Sequence, residues 1–124
     1  MKKAEIIKIM RGYRAAVQEA QGLRRIRDAV EADPDYWLPW REEDADRLAE
    51  MERMMADCWD VVQDVIDGIQ GDWEGVPMAA WVRYYYTGDD SDIPAGTTVS
   101  TSTDSYEARE RAMTEAIGRV RLRC

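Results

Sequence analysis

Hydrophobic residues recur at intervals of three and four along most of this chain, the spacing that places side chains on one face of an α-helix. In the first 32 residues five side chains follow it: Ile6, Met10, Tyr13, Val17 and Ala20. This pattern predicts a helix over residues 3–32. Pro34 should end the helix, because the residue before a proline is displaced from the α conformation.

The clearest periodicity lies in residues 42–69. Seven side chains alternate there by three and four over three heptads, as in a coiled-coil seam: Leu48, Met51, Met55, Cys58, Val62, Val65 and Ile69. The opposite face is acidic, with Glu50, Asp57, Asp60, Asp64 and Asp67. We predict a second long helix, whose seam packs against residues 3–32 as an antiparallel hairpin or pairs with a second copy.

Two shorter helices are predicted in the last third of the chain. One begins around residues 76–77, with proline in its first turn, and stops at Gly88. Residues 104–107 have the sequence of a capping box and open the last helix, whose apolar stripe consists of Tyr106, Met113, Ile117 and Val120. Between these helices, residues 89–96 have room for one short helical turn, and residues 97–103 for a loop or an edge strand.

These elements predict an all-α protein with two parts. Residues 1–72 form a long antiparallel helical hairpin that serves as a dimerisation or scaffold unit, and residues 73–124 form a compact helix-turn-helix-like unit. Four apolar side chains are left off the seam of such a hairpin: Ile7, Ile9, Met54 and Trp59. We expect them to form a second interface, most simply in a symmetric homodimer.

The composition limits the chemistry that this chain can perform. It contains no histidine, and its two cysteines, Cys58 and Cys124, lack the spacing of a zinc or redox pair. Histidine-based catalysis is therefore excluded, and we expect neither a cofactor nor a metal. The carboxylates of residues 42–67 fall on the solvent side of a helix, so an enzyme is the least favoured class of function.

The chain also lacks the features of a membrane or secreted protein. No apolar run approaches the roughly 20 residues that a membrane-spanning helix needs. The first residues lead into an amphipathic segment rather than the apolar core of a signal peptide. We therefore expect a cytoplasmic protein that does not associate with a membrane.

The net charge of −8 conceals a strong asymmetry along the chain. Residues 1–32 carry net +4, residues 33–74 net −11, residues 75–104 net −3 and residues 105–124 net +2. Such a chain can pair its own helices electrostatically, or it can present a local basic face to nucleic acid. Its overall acidity argues against indiscriminate DNA binding.

The last helix carries the candidates for contact with double-stranded DNA. Hydroxyls at its N-terminus are suited to phosphates, arginines on its first turns to base edges, and arginines near its end to backbone phosphates. In that order the residues are Ser102, Thr103 and Ser105, then Arg109 and Arg111, then Arg119, Arg121 and Arg123. The alternative is that these arginines pair with Glu107, Glu110, Glu115 and the acidic helix 42–67.

Part of this region resembles a known family. The residues that carry the resemblance are Arg83, Tyr84, Ile93, Ser100, Tyr106, Arg109, Ala112, Met113 and Ile117. They resemble the C-terminal module of the ArpU/RinA-like phage transcriptional regulators, which looks like a sigma-factor region 4 helix-turn-helix preceded by a helical hairpin. The resemblance implies DNA binding and control of phage late or packaging genes.

A hypothesis from another class rests on where this sequence departs from that pattern. Pro94 stands where the first helix of the motif should continue, and Asp89, Asp90 and Asp92 would face phosphate. The chain would then be an acidic, non-enzymatic protein-binding module, such as a phage inhibitor of a host nucleic-acid-binding protein. Its acidic face at residues 42–67 would act as a phosphate-like surface towards a host transcription or defence protein. A disordered or extended segment at residues 92–100, in place of a helix packed against residues 102–120, would favour this hypothesis over DNA binding.

Overall fold

The structure, a computed structural model, describes residues 2–97 and 103–122. These residues form four helices, α1 (Lys3–Ala32), α2 (Glu42–Gly68), α3 (Met78–Thr87) and α4 (Thr103–Gly118). Two short antiparallel strands, β1 (Asp72–Trp73) and β2 (Val76–Pro77), lie between α2 and α3. The prediction of a mostly helical protein is confirmed.

The two long helices pack along each other in opposite directions. The Tyr13 ring lies 6.0 Å from that of Trp59, and further along α1 the Glu19 carboxylate binds Arg47, which lies earlier in α2. The predicted apolar face of α1 is buried in full, and so is most of the seam of α2, where Met55 and Cys58 are half-buried. Local periodicity therefore identified the faces on which these helices pack.

One main hydrophobic core draws on all four helices. It contains Ile6, Met10, Tyr13, Val17, Val62, Val65, Ile66, Ile69, Val76, Met78, Ala80, Trp81, Val82, Tyr86, Met113, Ala116, Ile117 and Val120. A smaller cluster, Ala16, Ala20, Leu48 and Met51, lies towards the loop that joins α1 to α2. Both α3 and α4 pack against α1. The predicted boundary at residue 72 thus runs between segments that share a core.

A tight hairpin precedes α3, where a helix start was predicted. Glu74 and Gly75 both have positive φ, 52° and 78°, as a two-residue turn between antiparallel strands requires. Pro77 therefore belongs to β2 and caps α3, which begins at Met78. The Trp81 indole N–H donates to the Trp73 carbonyl oxygen at 2.9 Å and holds the hairpin against α3.

Candidate functional site

The segment that follows α3 forms turns in the part the structure describes. Gly88 ends α3 with φ of 80°, and none of residues 89–97 is helical. The Asp89 carboxylate accepts the Ser91 backbone N–H, and the Pro94 carbonyl accepts that of Thr97, with Gly96 at positive φ between them. Residues 88–102 separate the two helices, far more than the three or four residues of a helix-turn-helix turn.

The acidic side chains of this segment are partly neutralised from within the fold. The Asp92 carboxylate lies 2.9 Å from Arg83 Nε, an ion pair that ties the segment back to α3. Ile93 packs against the main core. These contacts hold the segment as turns against α3.

Arg109, the predicted reader of a base, points into the fold. Only 6% of the residue is exposed, and its guanidinium carbon lies 4.9 Å from the Trp81 ring centroid and 5.4 Å from that of Tyr106. The spacing of 109, 113, 116 and 120 places Arg109 on the buried stripe of α4, which the sequence could have indicated. Contact with a base edge would require α4 to repack.

The remaining DNA-contact candidates are spread over both ends of α4. Ser105 is half-buried, and Arg111, Arg119 and Arg121 are exposed. Arg119 lies 3.9 Å from Glu115, whereas Arg121 lines a small cleft at the end of α2. The predicted roles of Ser102, Arg123 and the Thr103 side chain lie outside the residues and side chains described.

The acidic face of α2 forms a row, here called the acidic stripe, of Glu43, Asp46, Glu50, Asp57, Asp60, Asp64 and Asp67. Its members are three, four or seven residues apart, so that they follow one side of the helix. All are exposed except Asp64, which is half-buried. In the described residues Glu50 alone among them forms an ion pair, with Arg47. The Asp67 carboxylate also accepts a hydrogen bond from the Gln63 side-chain amide at 2.8 Å.

A cleft between α1, α3 and α4, here called the arginine cleft, could not be predicted from the sequence. It has a volume of about 600 Å³, and Arg14, Arg25 and Arg109 line it together with Gln18 and Gln21. Four of these residues follow one face of α1, at positions 14, 18, 21 and 25. That polar stripe was a usable signal, but Arg109 joins it only through the packing of α4.

Tyrosines form the wall of the arginine cleft on the α3 and α4 side. The Tyr106 hydroxyl donates to the Tyr85 hydroxyl at 3.3 Å, and Tyr85 donates to the Glu110 carboxylate at 3.2 Å. Burial and the Tyr106 hydrogen bond raise the pKa of Tyr85, so it remains a hydrogen-bond donor at neutral pH. The Arg14 guanidinium lies 4.0 Å from the Tyr85 ring centroid and donates to the Tyr85 carbonyl at 3.2 Å.

The four residues predicted to form a homodimer interface differ in exposure. Ile7 packs against the main core and Ile9 is half-buried. Met54 and Trp59 are 41% and 37% exposed. Met54 follows Glu50 by four residues, so its side chain is flanked by the acidic stripe. A dimer through Met54 would bring two acidic surfaces together.

We expect the protein to sediment as a dimer at high micromolar concentration, and more completely at high salt, which screens the repulsion between the stripes. Met54→Glu should shift it to monomer, because it adds a charge to a contact that like charges already oppose. Trp37→Ser, at a side chain 77% exposed in the loop before α2, is the matched control and should leave the dimer intact. Sedimentation of the wild type as monomer under all these conditions would remove the homodimer.

No group of three or more potential metal ligands occurs among the residues that the structure describes. None of the helices in that part of the chain is long and apolar enough to cross a membrane. Comparison with protein-family models, with curated proteins and with solved structures found no match.

Proposed function

We propose that this chain is an acidic, non-enzymatic protein-binding module of phage or prophage origin, which inhibits a host nucleic-acid-binding protein. The observation that carries the proposal is the acidic stripe, because its carboxylates remain largely unpaired on an exposed helix face. The origin rests on the resemblance to ArpU/RinA-like regulators. In this proposal the helix-turn-helix-like unit has kept the fold of those regulators but no longer binds DNA.

The geometry of the stripe suits a protein surface that binds phosphates. It extends over residues 43–67, about 36 Å of helix at 1.5 Å per residue. Its carboxylates recur about once per turn, or every 5.4 Å, compared with roughly 3.4 Å per phosphate along one strand of DNA. The exception is the interval of two turns between Glu50 and Asp57, where the exposed Arg53 lies on the same side of the helix. A row of negative charges on this scale can engage lysines and arginines that otherwise hold a nucleic-acid backbone.

Three features near α4 favour protein binding over DNA binding. Residues 89–97 are turns in place of the motif's first helix, and Arg109 packs against Trp81 rather than extending from α4. Arg121 lines a small cleft together with Asp64 and Asp67, two carboxylates that repel a nearby phosphate. A DNA reader would need Arg109 turned outwards.

The test is displacement of labelled DNA from purified bacterial nucleic-acid-binding proteins, including RNA polymerase holoenzyme. We expect the wild type to release DNA from at least one of them. The stripe variant Asp57→Asn/Asp60→Asn/Asp67→Asn should lose about tenfold in potency, because charges facing a complementary surface accelerate and stabilise association. Fluorescence anisotropy of the DNA at several salt concentrations measures the effect.

The matched control removes three other exposed carboxylates, in Glu31→Gln/Asp35→Asn/Asp90→Asn. It makes the same change in net charge outside the stripe, so it should displace DNA like the wild type. If wild type displaces DNA from none of the proteins, or if both variants lose potency equally, the proposal fails.

The second candidate function is the DNA-binding transcriptional regulator itself. It is favoured by the exposure of Arg111 on α4 and of Arg119 and Arg121 just beyond its end. The same anisotropy measurement, with the protein alone at low salt and duplexes from the gene's own neighbourhood, decides it. This candidate replaces the first if the protein alone binds DNA and if Arg121→Ala weakens that binding. The variant should also reduce the slope of log affinity against log salt concentration by about one unit.

A further inference from the structure

Arg109 is the one buried charged residue among those described, and its charge has no acidic partner there. Within residues 2–97 and 103–122, its Nε atom has no hydrogen-bond partner, and no carboxylate forms an ion pair with its guanidinium. The rings of Trp81 and Tyr106 stabilise the cation, but a ring accepts none of the five N–H bonds in the way that an oxygen does. A buried guanidinium in this state favours an anion beside it.

Two further arginines lie around the same cleft. Arg14 donates to a backbone carbonyl and stacks on Tyr85, and Arg25 is exposed at the mouth. Neither forms an ion pair in the described part of the chain, and no carboxylate is among the described residues that line the cleft. Three arginines thus line a cleft of about 600 Å³, a volume typical of a small-molecule site.

We propose that the arginine cleft binds a small molecule through a phosphate monoester, with Arg109 at its inner wall and Arg14 and Arg25 nearer the surface. A phosphate monoester carries about −1.5 to −2 charges at neutral pH, whereas a carboxylate carries one. It therefore balances three cations better than a single acidic side chain does. The planar fork of arginine also matches phosphate oxygens two at a time.

The rest of the lining suits a ligand that continues beyond its phosphate. Gln18 and Gln21 offer amide donors and acceptors, and Tyr106 offers a partly exposed ring against which a base can stack. A nucleoside monophosphate would use all of these groups, and a sugar phosphate only some of them. This site is separate from the acidic stripe on α2, so its ligand is independent of the protein-binding function.

The experiment is isothermal titration calorimetry of the full chain with adenosine monophosphate, ribose 5-phosphate and adenosine. We expect both phosphates to bind and adenosine not to bind. Tighter binding of the nucleotide would identify a base-bearing ligand, and equal binding a ligand recognised through its phosphate alone. Both results support the proposal. Absence of heat from both phosphates at millimolar concentration, or equal binding of adenosine, overturns it.

Variants inside and outside the cleft locate the site. Arg25→Gln should weaken phosphate binding about tenfold, the scale of a charge-assisted hydrogen bond. Arg27→Gln removes the same charge from α1, at a residue that pairs with Asp28 outside the cleft, and should bind like the wild type. Arg109→Lys keeps the charge but loses the fork, and should weaken binding at least as much, with folding checked by circular dichroism.

If Arg25→Gln and Arg27→Gln lose equal affinity for the phosphates, the ligands respond to the overall charge of the protein rather than to a site. That result would overturn the proposal. The last measurement adds a glutamate-rich peptide that competes with the phosphates for the cleft. If the peptide binds the cleft more tightly than either phosphate, with the same dependence on Arg25, the cleft is a peptide site and the small-molecule assignment is wrong. If it leaves phosphate binding unchanged, the assignment stands.

Discussion

Val62→Asp leaves the protein largely unfolded or aggregated. Val62 is fully buried in the seam of α2, where the main core receives side chains from all four helices. An aspartate there has no cationic partner in that core, and burial of an unpaired carboxylate costs several kcal/mol even after its pKa rises. The free energy of unfolding of a domain of this size is about 5–15 kcal/mol in total, so one such buried charge removes most of it.

Circular dichroism with thermal melting, together with size-exclusion chromatography, measures this outcome. Ala56→Asp is the matched control, because it adds the same charge at an exposed position of the same helix. The control should melt within a few degrees of the wild type. A Val62→Asp protein that melts with the control would mean that this face of α2 is not buried.

Trp81→Ala should lower the free energy of unfolding by about 3–5 kcal/mol, the range for truncating a buried large aromatic side chain. Trp81 is 1% exposed and stands between three parts of the fold. Its ring packs in the main core of α3, its N–H binds the Trp73 carbonyl, and its face lies against the Arg109 guanidinium. Truncation therefore leaves a cavity, an unpaired carbonyl and a less stabilised buried cation at once.

Urea denaturation followed by fluorescence and far-ultraviolet circular dichroism gives the free energies to compare. Trp81→Phe keeps most of the packing but loses the hydrogen bond, and should cost clearly less than Trp81→Ala. Trp37→Ala removes a largely exposed indole and should stay within about 0.5 kcal/mol of the wild type. A Trp81→Ala protein as stable as the Trp37→Ala control would contradict the role assigned to Trp81.

The long helices were predictable because the information for them is local. An apolar residue at every third or fourth position stabilises a helix only when one face is buried, so the period of α1 and α2 reveals both element and face. Pro34 and Gly88 act on their own neighbours in the chain, so two helix ends were also within reach of the sequence. The hairpin of β1 and β2 was not, since strands of two residues are too short to show a period.

The direction in which Arg109 points could be decided only by the tertiary structure. An arginine on the first turns of a helix has the same sequence pattern whether it meets a base edge or a tryptophan. The outcome depends on how α4 packs against α1 and α3, which is a matter of contacts between residues far apart in the chain. The acidic stripe, in contrast, lies on one helix and could be recognised from spacing alone.

The arginine cleft shows the same division between local and long-range information. Arg14, Gln18, Gln21 and Arg25 share a face of α1 by helical spacing, which the sequence alone determines. Arg109 lies beside these residues only because α4 packs against α1, which brings together groups more than eighty residues apart in the chain. Sequence determined which residues could share a helix face, whereas burial, driven by the apolar side chains of all four helices, decided which faces enclose a cleft.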